Sequence, residues 1–132
     1  MDEAAKCRKE RMGDEAFEKE EARIRRQERQ FMRLAEAREL DTASRIDEAM
    51  IIYEKLLQEG IEHAYVYLRL GILYRKARRY DDELRVMERA LQVWRAFDYG
   101  DLVNKGGPMI AKYAARLEKA RTLRDRVAKK SP

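Results

Sequence analysis

Apolar residues recur along this chain at the three- and four-residue spacing that puts one face of a helix into a core. Residues 45–58 carry Ile46, Ala49, Met50, Tyr53, Leu56 and Leu57 at that spacing, and Gly60 follows in the place of a helix-ending residue. Residues 63–77 carry Tyr67, Leu70, Gly71 and Tyr74, and residues 80–97 carry Tyr80, Leu84, Met87, Ala90, Leu91 and Trp94. Asp81 and Asp82 sit in the first turn of that helix, where negative charge suits its dipole. After an expected loop, Asp98 to Gly107, Pro108 opens a last helix to about residue 129, with Ile110, Tyr113, Ala114, Leu117, Ala120, Leu123 and Val127 inward.

The first 40 residues differ. Their apolar positions are sparse: Phe17, Ile24 and Phe31 recur every seven residues, with Leu34 following, but Glu20 and Gln27 hold the places a coiled-coil seam would fill with apolar partners. Opposite charges lie four apart, as in Glu21 and Arg25. The pattern predicts a long charged helix over 14–40 with residues 1–13 frayed, and a break at Asp41 to Ser44, where Thr42 or Ser44 can cap the next helix.

An internal repeat connects these elements. Residues 43–57, ASRIDEAMIIYEKLL, align without a gap on residues 77–91, ARRYDDELRVMERAL, at an offset of 34. Ala43/Ala77, Arg45/Arg79, Asp47/Asp81, Glu54/Glu88 and Leu57/Leu91 are identical, and most other pairs keep their character. A fixed period with two helices per unit indicates a helix-hairpin solenoid, because one hairpin cannot bury both its faces and stacked neighbours can.

The residues over 64–97 resemble a tetratricopeptide repeat. Tyr67, Leu70, Gly71 and Tyr74 match the family's first helix; Tyr80 and Ala90 match its second, with Met87 in place of the aromatic residue. Glu83 replaces the family's small alanine, and Arg95 its helix-ending proline. Residues 30–63 are similar more weakly, through Ala37, Leu40, Ile46, Ala49, Tyr53 and Leu56, while Arg33, Glu36 and Ile61 depart from the pattern. The resemblance implies an all-α protein of about five helices: a charged extension over 1–29, then a short antiparallel hairpin solenoid over 30–130 closed by a capping helix. It also implies a non-catalytic protein-interaction scaffold whose concave groove is lined by first helices. The groove positions are Phe31, Leu34 and Arg38, then Tyr65, Leu68, Arg69, Ile72, Arg75 and Lys76. Leu68 and Ile72 stand where the family's clamp for acidic C-terminal peptides needs polar residues, so an amphipathic helix or an extended apolar peptide is the expected occupant. The alternative occupants are the chain's own N-terminal helix, through Phe17 and Ile24, and a second copy.

Composition narrows the possibilities. Charged residues make up 42% of the 132, and only two prolines and six glycines interrupt the chain, which suits few, long helices. The longest apolar runs, Ala49 to Tyr53 and Ala64 to Leu68, are far too short to cross a bilayer, and the first residues have no apolar stretch of a secretory signal. With one cysteine, Cys7, and one histidine, His63, neither an internal disulfide nor a closed zinc site is expected. These features favour a cytoplasmic protein without metal or cofactor.

The net charge of +5 is unevenly distributed: residues 41–62 carry 2 basic and 6 acidic side chains, and residues 101–132 carry 9 and 3. The basic residues of the last helix, Lys112, Arg116, Lys119, Arg121, Arg124, Arg126, Lys129 and Lys130, open a second class of function, a nucleic-acid or ribosome-associated protein. Helical spacing puts Lys112, Arg116 and Lys119 together, with Arg121 and Arg126 expected to turn away. A third class is a structural protein self-associating through its N-terminal helix. Elsewhere chemistry is thin. His63 opens a helix as a capping residue; Glu48 and Glu54 are surface charges; the run Arg75 to Arg79 is expected to be neutralised by Asp81, Asp82 and Glu83; and the segment Asn104 to Pro108 lacks the ending of a phosphate-binding loop.

Overall fold

The computed structural model describes residues 2–96 and 107–130. Among them the secondary structure is entirely helical: α1 (Glu3–Met12), α2 (Asp14–Thr42), α3 (Ile46–Gln58), α4 (Ala64–Lys76), α5 (Tyr80–Ala96) and α6 (Gly107–Lys130). There are six helices among the described residues, one more than the sequence predicts. The difference lies in residues 3–12, expected to fray. Asp2 caps that helix by accepting a hydrogen bond from the Ala5 amide at 2.7 Å, and Arg8 donates to Glu21 of α2 at 2.6 Å. Ala5 and Phe17 are buried where α1 folds back along α2. Glu21 is thus engaged by Arg8 rather than by Arg25. Of the expected loop over 98–107, residues 98–106 lie outside the described residues and Gly107 is the first residue of α6.

The helices terminate by one repeated device. After α2, the amides of Ala43, Ser44 and Arg45 donate to the carbonyls of Glu39, Asp41 and Leu40. After α4, the amides of Ala77, Arg78 and Arg79 donate to Leu73, Arg75 and Tyr74, every donor and every acceptor displaced by the same 34 positions. This pattern satisfies the last free carbonyls of a helix and requires one left-handed residue. Ser44 (φ 62°) and Arg78 (φ 57°) take that conformation. Neither Thr42 nor Ser44 caps α3: Thr42 ends α2, Ser44 is the left-handed residue, and Arg45 precedes α3 without a side-chain cap. The turn between α3 and α4 has the same bonds around Gly60 (φ 72°), where the amides of Gly60 and Ile61 donate to Leu57 and Leu56. Arg89 of α5 closes that helix end by donating to the carbonyls of Leu57 and Gln58, a cation placed at a negative helix pole.

Cross-chain contacts give the layering. From α2 to α4 they run Gln27–Glu62, Phe31–His63, Arg38–Tyr65 and Asp41–Arg69, rising together, so α2 and α4 run parallel. From α4 to α6 the Tyr67–Tyr113 ring contact and the Arg75 bond to the Arg116 carbonyl do the same. Glu54–Arg85 and Leu57–Arg89 pair α3 with α5 in parallel. Consecutive helices pack against each other, α5 running antiparallel to α6 from Trp94–Tyr113 to Asp81–Arg124. The core lies between the rows α2, α4, α6 and α3, α5. Its largest fully buried side chains include Tyr53, Tyr67, Tyr113, Leu56, Ile61, Leu70 and Met87. Each contributes roughly 1.5–3 kcal/mol through burial. Gly71 stands where three helices meet: a methyl group added there would lie 2.8 Å from the Met87 terminal carbon and 3.4 Å from Arg116. Of the positions expected inward, Tyr80 is only half-buried and Val127 is 49% exposed.

Candidate functional site

The nine groove positions separate into three groups. Leu34 is core: it is 4% exposed and packs within the cluster that contains Ala37, Ala49 and Tyr53. Arg69 and Arg75 are committed to carboxylates. Arg69 donates through Nε and Nη2 to both oxygens of Asp41, each at 2.7 Å, and Arg75 donates to Glu83 at 2.9 Å. Six positions remain accessible. Phe31 is 47% exposed and sits edge-on to the His63 ring; Ile72 is 36% exposed; Tyr65 and Leu68 are half-buried; Arg38 and Lys76 are exposed. The Arg38 guanidinium lies 4.6 Å from the Tyr65 ring centre. The accessible surface is therefore an apolar and aromatic strip on two parallel helices, edged by Arg38 and Lys76.

The N-terminal helix does not fold back over this strip. Phe17 and Ile24 belong to the same unbroken α2 as Phe31, at about 21 Å and 10 Å along its axis. Phe17 is taken up by α1 instead.

Two buried carboxylates organise the body, and neither stood out as a pair in the sequence. Asp41 accepts from Arg69 and also from the Tyr53 hydroxyl at 2.9 Å. The Arg69 guanidinium holds the Asp41 carboxyl below its ordinary range against the opposing effect of burial, and Tyr53 adds to the lowering. Burial pushes the Tyr53 phenol well above its usual value, with Tyr65 and Asp41 contributing. Glu83 is fully buried and accepts from Arg75 of α4 and, at 2.8 Å, from Arg116 of α6. Its period-mate is Ala49, also fully buried, so the departure from the repeat pattern noted at position 83 is the acceptor that ties α6 to the two helices before it. The signal was the substitution of a charge into a position whose counterpart 34 residues earlier is a core alanine.

The remaining charged groups act locally. His63 caps α4 through Nδ1, which accepts from the Tyr65 amide at 3.2 Å. Arg79 pairs with Asp82, which with Arg75–Glu83 accounts for part of the expected neutralisation of the run 75–79. Glu54 is half-buried rather than a plain surface charge: it accepts from the Tyr74 hydroxyl and from both terminal nitrogens of Arg85. Burial, then Glu54, pushes the Tyr74 phenol up to about 12.

The basic residues of α6 sort differently from the expectation. Arg116 turns inward to Glu83, Arg121 is paired with Glu118 at 2.7 Å, and Arg124 lies between Asp81 and Asp125. Lys112, Lys119, Arg126, Lys129 and Lys130 are exposed and enter no ion pair among the described residues. Arg126 therefore joins Lys112 and Lys119, and Arg116 leaves them. At ~100° per residue these five side chains fall within about 100° of arc on α6.

Among the described residues no three His, Cys, Asp or Glu side chains gather where they could hold a metal ion, and no helix is long and apolar enough to cross a membrane. No family model, no curated protein and no solved structure matches this chain.

Proposed function

We propose that this chain is a non-catalytic interaction module built from tetratricopeptide-like helical hairpins, and that it binds an amphipathic helix or apolar peptide across α2 and α4. Phe31, Tyr65, Leu68 and Ile72 are the anchors on that surface, with Arg38 and Lys76 at its edge. The observation that carries the reading is that Phe31 and Ile72, two large apolar side chains on parallel neighbouring helices, stay 47% and 36% exposed while half-buried Tyr65 and Leu68 lie between them. A contiguous apolar strip of this kind on a charged surface is characteristic of a contact site. The repeat reading is supported by the two turns whose hydrogen bonds correspond atom for atom at a spacing of 34. Recognition by an apolar strip with a cationic edge selects a ligand helix with apolar residues at i, i+3 or i+4 and acidic residues beside them.

The test is a selection from a displayed peptide library, repeated on a Phe31→Ser/Ile72→Ser variant and on an Ile51→Ser control. Ile51 is 64% exposed on α3, away from the strip. The reading expects peptides of the stated pattern that bind the wild type and the control and lose at least tenfold in affinity on the double variant. No enrichment, or enriched peptides indifferent to Phe31 and Ile72, overturns it.

A further inference from the structure

We infer that the outer face of α6 is a second binding surface, independent of the apolar strip, and that its ligand is the sugar-phosphate backbone of a nucleic-acid duplex. Lys112, Lys119, Arg126 and Lys129 recur at seven, seven and three residues along one face, with Lys130 beside them and Ala115 and Thr122 in the intervals. All seven side chains are exposed. The two acidic residues of α6, Glu118 and Asp125, border this face on its Lys129 side and are engaged by Arg121 and Arg124. The other basic residues of the helix already have carboxylate partners, which leaves five cations with none among the described residues.

The arrangement discriminates among anionic ligands. A protein partner is favoured by aromatic residues, Met and Arg at the centre of an interface, and lysine is depleted there. This face has four lysines and no aromatic or large aliphatic side chain. A helix that lies in a membrane surface needs an apolar face to insert beside its cations. The apolar residues bordering the stripe are Leu123, which is half-buried, and Val127, which is 49% exposed and about 60° beyond Lys112 and Lys130; one exposed valine is not an inserting face. Single strands are held by stacking their bases on aromatic rings as well as by charge. None is present here. What remains is a row of point charges about 27 Å long. That length is close to the ~34 Å of one turn of duplex DNA. Ammonium groups on flexible stems contact phosphates without reading bases, so the binding is independent of sequence.

The experiment is fluorescence anisotropy with a labelled random-sequence 30-base-pair DNA duplex and the matching RNA duplex, from 50 to 200 mM NaCl. Each phosphate neutralised contributes about 0.9 to the slope of log affinity against log salt for duplex DNA. Five contacts give a slope near −4, a loss of more than a hundredfold across that range. The variant Lys112→Gln/Lys119→Gln/Arg126→Gln is expected to reduce the slope by about 3 and to weaken binding at least thirtyfold at 50 mM. The variant Arg25→Gln/Arg29→Gln/Arg33→Gln removes the same charge from α2 and is expected to change affinity less than threefold. All six positions are exposed, and matching thermal melts by circular dichroism establish that both variants fold. Absence of duplex binding by the wild type at 50 mM overturns the inference. Equal losses in the two variants overturn it too, as does equal or tighter binding to polyglutamate or to phosphatidylserine vesicles.

Discussion

The junction between α2 and α4 and the junction between α4 and α6 each bury a carboxylate, and they satisfy it to different degrees. Asp41 takes one bidentate arginine and one tyrosine hydroxyl, so three donors reach its two oxygens and one charge meets one charge. Glu83 takes two arginines from two different helices, and the Arg116 Nε is buried without an acceptor. The first cluster is nearly self-sufficient. The second holds three helices through one anion and leaves an excess positive charge and an unused donor behind it. Removing the anion leaves two arginines, 29% and 22% exposed, without the attraction that offsets their partial desolvation. The second junction should therefore depend far more on its single acid than the first.

The largest effect expected is for Glu83→Ala, a destabilisation of about 3–5 kcal/mol measured by urea unfolding. Replacing the whole cluster with apolar side chains, Arg75→Met/Glu83→Leu/Arg116→Met, should recover most of that loss, because no charge is then stranded. A cost below about 1 kcal/mol for Glu83→Ala would show that the three groups are effectively solvated and that the packing of Tyr113, Leu117 and Ala120 alone holds α6.

At the other junction Asp41→Asn should cost about 2 kcal/mol, since the amide keeps one acceptor for Arg69 or Tyr53 but loses the charge. Its pH dependence carries a definite sign. Arg69 lowers the folded carboxyl below the ~3.9 of an unfolded aspartate. The folded state then binds fewer protons than the unfolded chain between the two values. The contribution is complete above about pH 4 and disappears as the pH falls through the folded value. Urea midpoints between pH 7 and pH 3 should converge for wild type and Asp41→Asn at the acid end. Curves that stay parallel to pH 3 would sink the assignment.

A gain of stability is expected at the two repeated turns. Ser44 and Arg78 hold left-handed conformations that cost a side-chain-bearing residue about 1 kcal/mol and glycine almost nothing. Ser44→Gly and Arg78→Gly should each stabilise by about 0.5–1 kcal/mol, additively because the turns share no partner. A fall in melting temperature for either would mean that its side chain makes a contact worth more than the backbone relief.

Much of this architecture was legible because periodicity reports burial directly. Tyr53, Tyr67, Leu70, Gly71, Tyr74, Met87 and Ala90 fall at helical spacing and are buried. The offset of 34 reappears in the main-chain bonds of the turns because residues 39–45 and 73–79 end their helices by the same geometry. Three features escaped. The α1 helix was hidden because residues 3–12 have few apolar side chains, and what holds them is a cap and an ion pair that depend on a chain reversal at Gly13. The commitment of Arg69 and Arg75 was hidden because both look like surface charges until Asp41 and Glu83 are found buried beside them. The makeup of the face on α6 is hidden because Arg116 shares the helical register of Lys112 closely enough to group with it, and Glu83 pulls it inward.

The smallest effect separates the two junctions once more, because His63 stands at the entrance to α4, beside Phe31 on α2, and away from the α6 junction. Burial lowers the pKa of the ring, and the Arg38 charge lowers it further. The folded state accordingly favours the neutral imidazole, whose Nδ1 lone pair accepts from the Tyr65 amide. Protonation fills that lone pair and removes the cap. Stability from this residue is full above about pH 6.5, the unfolded value, and is lost as the pH falls through the lower folded value. The loss should be about 0.5 kcal/mol, the lower range for a helix cap. His63→Asn keeps a capping oxygen and cannot titrate, so its unfolding midpoint should stay flat from pH 7.5 to 5 while that of the wild type declines. A wild-type midpoint as flat as that of His63→Asn would mean that the imidazolium is tolerated at this helix start, and that the N-cap bond contributes nothing to docking α4 on α2.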